Sequence, residues 1–467
     1  MSKLQKSAQA KLVKLPIKDI DDEVYMDGKG NPPVDENGEP LVCLIKKGIY
    51  GLHQSGYAWA QCFKDFMLHD KEYAMGFTQM TGEANMYRKA FMLDGKQEEI
   101  FIGQYVDDCL VVASSDKARK WFTDRLSARF PVNESSSGQV SMENPGLLLS
   151  MELLYDQRDG VLTFNQSRAI DSLATKFDCK QPHIGGRVPL HPDLKLPKLE
   201  AAEVDVRQYM SIIGSCLHIC QVSRPDCSYA VGALCRHSQH PGEVHMKAAR
   251  DLVGYMYKTI HWSIRYTRSE VGNCPEVWSQ GFRPAVERKI EERLIASTPD
   301  PRANDPAVYV DADHAGCSVS RRSTTGMFIA MNGGGIAWLS RLQKLAAQSS
   351  AESEIYAVTE SVKEAIHIRL LCEECKIRQP GIPMTVWEDN NACIQMGHAL
   401  RGSNAAKHFE LRLRFFSEHI AAGSIEFSRI DTSHQLADGF TKPLGTTKFE
   451  EFRNSIMYNT APESGKV

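Results

Sequence analysis

YVDDCLVVAS, at residues 105–114, sets two aspartates side by side in the middle of an apolar run. The flanking IFIGQYV and CLVVA are short and rich in β-branched and aromatic residues. They read as two strands joined at the acidic dipeptide, with Asp107 and Asp108 at the hairpin tip. In a continuous strand neighbouring side chains point to opposite faces, whereas a tight turn lets both carboxylates reach one spot. Their repulsion there makes a divalent metal the natural counter-charge. An ordinary solvated Asp-Asp turn fits the same letters, because aspartate is a common turn former. The stretch by itself leaves both readings open.

The whole chain narrows the choice. Its 467 residues, 42% hydrophobic and 24% charged, suit a globular protein of two or three domains. A net charge of −3 provides no global attraction to nucleic acid or anionic membrane, so any nucleic-acid contact must come from local basic surfaces. No apolar run is long enough to span a bilayer and no secretory signal is present, so no membrane partner is expected. Thirteen cysteines scattered without a framework suit a reducing compartment. CRHSQHPGEVH (Cys235, His237, His240, His245) and CEEC (Cys372, Cys375) lack a second ligand pair at zinc spacing and read as helix or helix end, where such residues pack or cap.

Periodicity divides the chain into zones. Residues 1–19 form a basic tail, and 20–180 alternate strands and helices in one α+β unit. A second hairpin there, LLLSMELLYDQRDGVLTF, turns at Asp159-Gly160 and leads into the helical SRAIDSLATKF. Residues 181–268 open with proline-rich VPLHPDLKLPKL and become helical, with apolar residues at three and four spacing. The charged, proline-containing stretch 269–305 reads as a surface insertion or linker, 306–445 as a further domain and 446–467 as a C-terminal tail.

That further domain carries four acids on four predicted elements. AVYVDADHAG is a strand ending in Asp311, and TTGMFIAMNGGGIAWLS adds two strands with a glycine turn. In SSAESEIYAVTESVKEAIHIRLL, Ser349 and Glu352 have capping-box spacing, and Glu354 faces the buried side of the helix beside Ala357 and Val358. A carboxylate is costly there unless something positive awaits it. MTVWEDNNACI delivers Asp389 at a strand end, and IEFSRIDTSHQLADGFTKPL places Asp438 on a short helix after another strand. Such a set suits a site that clamps two divalent ions about 4 Å apart and activates water for phosphodiester hydrolysis. A solvated surface acid is the bland alternative for each one singly.

In order and wording, DADHAG, RRSTTG, GGGIAWLSRLQK, SSAESEIYAV, WEDNNACI, KHFELRLRFF and LADGFTKPL resemble the ribonuclease H domain of copia-type LTR retrotransposon Pol polyproteins. Upstream, DDEVYMD, LVCLIKKGIYGLHQSGYAWAQCF, YVDDCLVVAS and YMSIIGSCLHICQVSRPDCSYAVGALCRHSQHP resemble the reverse transcriptase and connection of the same polyproteins. The resemblance covers roughly 20–268 and 306–445. It implies an α/β and α+β multidomain chain: a reverse-transcriptase palm-like domain, a helical thumb or connection, and a ribonuclease H-like domain.

It further implies that Asp311, Glu354, Asp389 and Asp438 are metal-binding catalytic acids, whereas Asp313 and Glu352 are not, and that Asp107 and Asp108 are the paired metal-binding aspartates of the palm. Gln54 and Ser55 match residues beside the incoming nucleotide, although His53 and the Gly56-Tyr57 pair replace the usual lysine and proline-arginine. The implied cofactor is Mg²⁺ or Mn²⁺, and the implied partners are an RNA–DNA hybrid, an RNA template and a DNA primer. The implied location is a cytoplasmic retrotransposon particle, with the nucleus as a second site. Arg321, Arg322, Arg341, Lys344 and Lys407 lie in loops or strand flanks and are candidates for phosphate contacts, a solvated basic face being the alternative. A catalytically inactive, element-derived nucleic-acid-binding or interaction protein is the rival reading of the whole. Neither reading specifies an oligomeric state.

One expectation concerns polymerisation. A palm needs a third aspartate upstream of the pair to complete its two-ion clamp. In the family pattern, counting back from Met26 places it at Ala10, and no acid precedes Asp19. The purified chain is therefore expected not to extend a primer with Mg²⁺ and all four nucleotides. Extension that is lost in Asp107→Asn would overturn this expectation.

Overall fold

A computed structural model describes residues 53–69, 72, 75–106, 108–130, 146–156, 158–181, 183–267, 305–399 and 409–460. Ala10, Asp107, Lys407 and nearly all of the 269–305 segment lie outside the described residues, as does the side chain of Gln54. The chain divides into two compact units, one comprising residues 1–79 and 85–125, the other 80–84 and 126–467.

In the first unit helix α1 (His53–His69) accompanies an antiparallel meander of β1 (Thr78–Gln79), β2 (Met86–Leu93), β3 (Lys96–Tyr105) and β4 (Asp108–Ala113), in that order across the sheet. Alternation along β3 buries Ile100 and Ile102, and Phe63 of α1 packs edge-on against Tyr87 of β2 at 5.9 Å. The acidic hairpin forms as expected, but Asp108 belongs to a strand and not to the tip. Tyr105 pairs with Asp108, which is the first residue of β4. Val106 has φ +54°, the left-handed region that a two-residue hairpin imposes even on a β-branched side chain.

The second unit contains two five-stranded sheets. One has the order β14 (Tyr458–Asn459), β8 (Trp262–Thr267), β7 (Val161–Asn165), β6 (Met151–Asp156) and β5 (Gly146–Leu148). The hairpin turning at Asp159-Gly160 thus belongs to this unit and not to the one that holds YVDD. Its outer strand β7 pairs with β8, which lies about a hundred residues downstream and follows the helices of the 181–268 zone. That zone is not wholly helical: after α4 (Val206–Val222), α5 (Ser228–Cys235) and α6 (Glu243–Lys258) it ends in this strand. The segment after 445 forms α11 (Thr446–Ile456), which buries Phe449, Phe452 and Ile456, and then β14 on the edge of β8.

The other sheet has the order β11 (Gly334–Leu342), β10 (Thr324–Met331), β9 (Ala307–Ala312), β12 (Met384–Glu388), β13 (Ile425–Arg429). Strands β9, β10 and β11 are antiparallel, and β12 and β13 run parallel to β9. Asn332 and Gly333, at φ +52° and +81°, close the β10–β11 hairpin as the Asn-Gly pair dictates. This is the ribonuclease H-like arrangement that the sequence resemblance implies. One face packs Val308, Val310, Met327 and Ile329 against the long helix α7 (Ser350–Glu374) and Phe416 of α9 (Glu410–Ala421). The other face places Tyr309 and Phe328 in a core shared with Phe440 and with α3 (Ser167–Lys176), α4, α5 and α6. With both faces covered, β9 is buried along nearly its whole length and reads as a continuous apolar run.

Within that shared core the Arg224–Asp226 pair is fully buried and bidentate, at 2.9 and 2.8 Å. Tyr255 donates to Asp226 Oδ2, and Arg224 also reaches the carbonyl of Met256 and the hydroxyl of Thr259. Every charge in the network has partners. Removing one partner leaves the other unpaired without water, so Asp226→Ala should lower the unfolding free energy by about 3–5 kcal/mol in denaturant titrations. A loss below about 1 kcal/mol, the scale of an exposed ion pair, would contradict this reading.

Candidate active site

The parallel register of β9 and β12, with Val308 beside Val386 and Tyr309 beside Trp387, brings the carboxyl ends of these strands together. Asp311 sits near the end of β9, and Asp389 follows Glu388 at the end of β12. Helix α7 begins at the Ser349 cap, whose hydroxyl accepts from the Glu352 N–H at 3.2 Å, and Glu354 occupies its second turn. Glu352 stays with the helix start: its carboxylate accepts from the Gln348 N–H and the Tyr356 hydroxyl. One carboxylate oxygen each of Asp311, Glu354 and Asp389 all lie within 4.8 Å of one another.

Asp438 stands beside this trio as the first residue of α10 (Asp438–Thr441), and Lys442 Nζ lies 2.7 Å from its Oδ1. The turn is fastened to β9 and β10. Thr441 donates to Asp311 Oδ2 at 2.7 Å, and the Gln435 amide donates to the Val310 carbonyl at 2.8 Å. Gly326 of β10 pairs with Asp311, and a Cβ there would lie 2.6 Å from Thr441 Cγ2 and 2.7 Å from the Ala437 carbonyl. Glycine is therefore required for α10 to rest on the strand. Asp389 Oδ2 accepts from Thr432 at 2.7 Å.

The electrostatics are those of too many acids with too little water. Asp311 is 6% exposed and Glu354 5%. Burial, then the Asp438 carboxylate, push the Asp311 carboxyl up to about 7. Burial, then Glu388 and Asp311, hold the Glu354 carboxyl well above the usual range, and its Oε2 has no hydrogen-bond partner. Hard carboxylate oxygens left unpaired in a buried cluster fit a divalent cation of the Mg²⁺ or Mn²⁺ kind. Asp311, Glu354 and Asp389 would hold it, with Asp438 at the flank.

Glu388 was missed by the sequence reading. It is fully buried, its Oε1 accepts from the Asn390 N–H at 3.0 Å, and its Oε2 is unpartnered. The signal was present in MTVWE: Met384, Val386 and Glu388 share the inward face of an alternating strand, so a carboxylate occupies a core position. Thr441 and Lys442 were also overlooked, since only the folded turn reveals what they touch.

The remaining candidates are dispersed. Asp108 is exposed on β4, and Ser55 is half-buried on α1. Among the described residues Asp311, Glu354 and Asp389 form the one group with metal-ligand spacing. Arg321 is exposed in the loop between β9 and β10 at φ +52°. Arg322 and Lys344 are brought together, the guanidinium lying 3.5 Å from the Lys344 carbonyl, and exposed Arg341 on β11 is 3.9 Å from Glu360. In the other cluster His245 accepts from the Gly242 N–H and caps α6, while His237 stacks on it at 4.1 Å.

In cation-free buffer the raised Asp311 pKa has a defined consequence. The folded state binds a proton that the unfolded state releases near 3.8, so this stability is complete below that pH and is lost as pH rises through about 7. In EDTA, Asp311→Asn should remove a decline of the order of a few kcal/mol that runs from about pH 4 to about pH 7, measured by denaturant unfolding of parent and variant. Parallel pH profiles for the two proteins would contradict the assigned environment.

Residues 16–179 match the family model described as reverse transcriptase (RNA-dependent DNA polymerase). The retrovirus-related Pol polyprotein from transposon TNT 1-94 of Nicotiana tabacum is 26% identical over 439 residues, which is 92% of this chain and 29% of that protein. The corresponding polyprotein from transposon RE2 of Arabidopsis thaliana is 26% identical over 447 residues, 95% of this chain and 27% of the relative. The chain thus spans less than a third of these relatives. A solved structure of LC11-RNase H1, isolated from compost, aligns with 30% of this chain and 93% of its own at 10% identity and a TM-score of 0.24. The chain is thus similar along most of its length to copia-type retrotransposon Pol polyproteins, with a reverse transcriptase match over residues 16–179 followed by a ribonuclease H-like strand order in the second unit.

Proposed function

We propose that the domain formed by residues 306–445 hydrolyses the RNA strand of RNA–DNA hybrids with Mg²⁺. The observation that carries the reading is the convergence of Asp311, Glu354 and Asp389 within 4.8 Å at the ends of two parallel strands and a helix turn, with the Glu354 Oε2 buried and unpartnered. A bound divalent cation supplies charge for an attacking water and for the phosphate in the transition state. The protein's contribution is to hold the carboxylates in place before any ion arrives. Thr441 orients Asp311, Thr432 orients Asp389, and the α7 backbone fixes Glu354.

Substrate binding falls to groups around the site. Arg321, Arg322 and Lys344, in the loop before β10 and just after β11, offer exposed or half-exposed cations for phosphates, which set position and not sequence. Choice of RNA over DNA rests on the 2′-hydroxyl. The region 16–179 takes the RNA template and DNA primer in this reading, which places the protein's work in a retrotransposon particle of the cytoplasm or in the nucleus.

Asp389→Asn keeps the shape and the acceptor for Thr432 but removes one charge from the trio. Cleavage of a labelled hybrid by the purified chain with Mg²⁺ should fall by about 100-fold or more, the several kcal/mol that a metal ligand commands, with an unchanged melting profile in EDTA. Cutting at the parental rate by this variant would show that the site is misassigned, and the absence of parental cutting with intact folding would favour the inactive, nucleic-acid-binding alternative.

A further inference from the structure

Of the four acids expected to act together, Asp438 is the one that does not join the trio. What holds it is Lys442, whose ammonium lies 2.7 Å from Asp438 Oδ1 across an i,i+4 step at the end of α10. The lysine is exposed, its side chain at 46%, whereas that of Asp438 is only 22% exposed. The ammonium stands at the edge of the cluster, since its chain neighbour Thr441 donates to Asp311 Oδ2 at 2.7 Å, while Glu354 and Glu388 each keep a buried oxygen without a partner.

Resting on the reading of the trio as a divalent-cation site, we infer that Lys442 is a positioning residue: a built-in counter-cation that keeps Asp438 to one side in the ion-free protein and competes with a divalent ion for the same carboxylates. An ammonium and a divalent cation repel within a few ångströms of each other, and the repulsion is poorly screened in a half-buried site. Ion entry then requires Lys442 to loosen its hold on Asp438, which frees that carboxylate to turn toward the trio. A merely structural i,i+4 pair has a different signature. Its loss costs a little stability and leaves cation affinity unmoved.

The test is titration of the purified full chain with Mg²⁺ alone, by calorimetry, for the parent, Lys442→Gln and Lys442→Arg. Lys442→Gln should bind Mg²⁺ roughly tenfold more tightly, the scale of removing one nearby positive charge, and should melt lower than the parent in EDTA. Lys442→Arg, which keeps the charge, should stay close to the parent in both. Equal or weaker binding by a folded Lys442→Gln overturns the inference and leaves the cation site standing. Failure of the parent to bind Mg²⁺ overturns the cation site and the inference with it. A second measurement needs no variant: acylation of Lys442 by an amine-reactive reagent, followed by mass spectrometry, should be faster in saturating Mg²⁺ than in EDTA, and equal rates overturn the inference.

Discussion

Three carboxylates that repel one another are held within 4.8 Å, two of them almost out of reach of water, and the second unit is arranged so that they cannot separate. Two lie at the carboxyl ends of adjacent parallel strands, where the ladder fixes their spacing, and the third projects from a helix anchored by its Ser349 cap. None of the three elements can move without breaking a core. Burial that raises the Asp311 and Glu354 pKa values is a cost to the ion-free fold, and such local destabilisation is what a preorganised site carries.

That cost is offset by packing on both faces of the sheet. On one side α7 and α9 cover the apolar faces of β9, β10 and β12. On the other, the connection helices and the segment after 445 close over Tyr309, Phe328 and Phe440, and the Trp338 indole donates to the Cys220 carbonyl at 2.9 Å. Arg224 and Asp226 lock the turn between α4 and α5 from within. The 181–268 zone is thus a structural half of the domain that bears the site, more than a tether leading to it. The rigidity it lends reaches the acids through α10, which rests on Gly326 and holds Asp311 by the Thr441 hydroxyl.

Much of this was legible in the residues because local rules sufficed. Ser349 with Glu352 announced a helix start, the glycines of MNGGG a turn between two strands, and MTVWEDNNACI a strand delivering Asp389 to its end. What failed depended on distant pairing. Asp108 fell within β4 because register with β3, and not acidity, selects which residues pair. The second hairpin belongs with β8, and no local signal says so. Glu388 was passed over because Asp389 matched the motif, although the strand period already placed Glu388 inside. Lys442 lay in view four residues after Asp438, but its charge matters only once the turn that carries it is fastened to Asp311 through Thr441.

The central claim is that the trio is a divalent-cation site, and the most direct test locates the ion. Crystals of the full chain soaked in Mn²⁺ and measured at the manganese absorption edge should show an anomalous peak within bonding distance of Asp311, Glu354 and Asp389. Anomalous peaks elsewhere with none at the trio, from crystals in which those three carboxylates are ordered, would contradict the account.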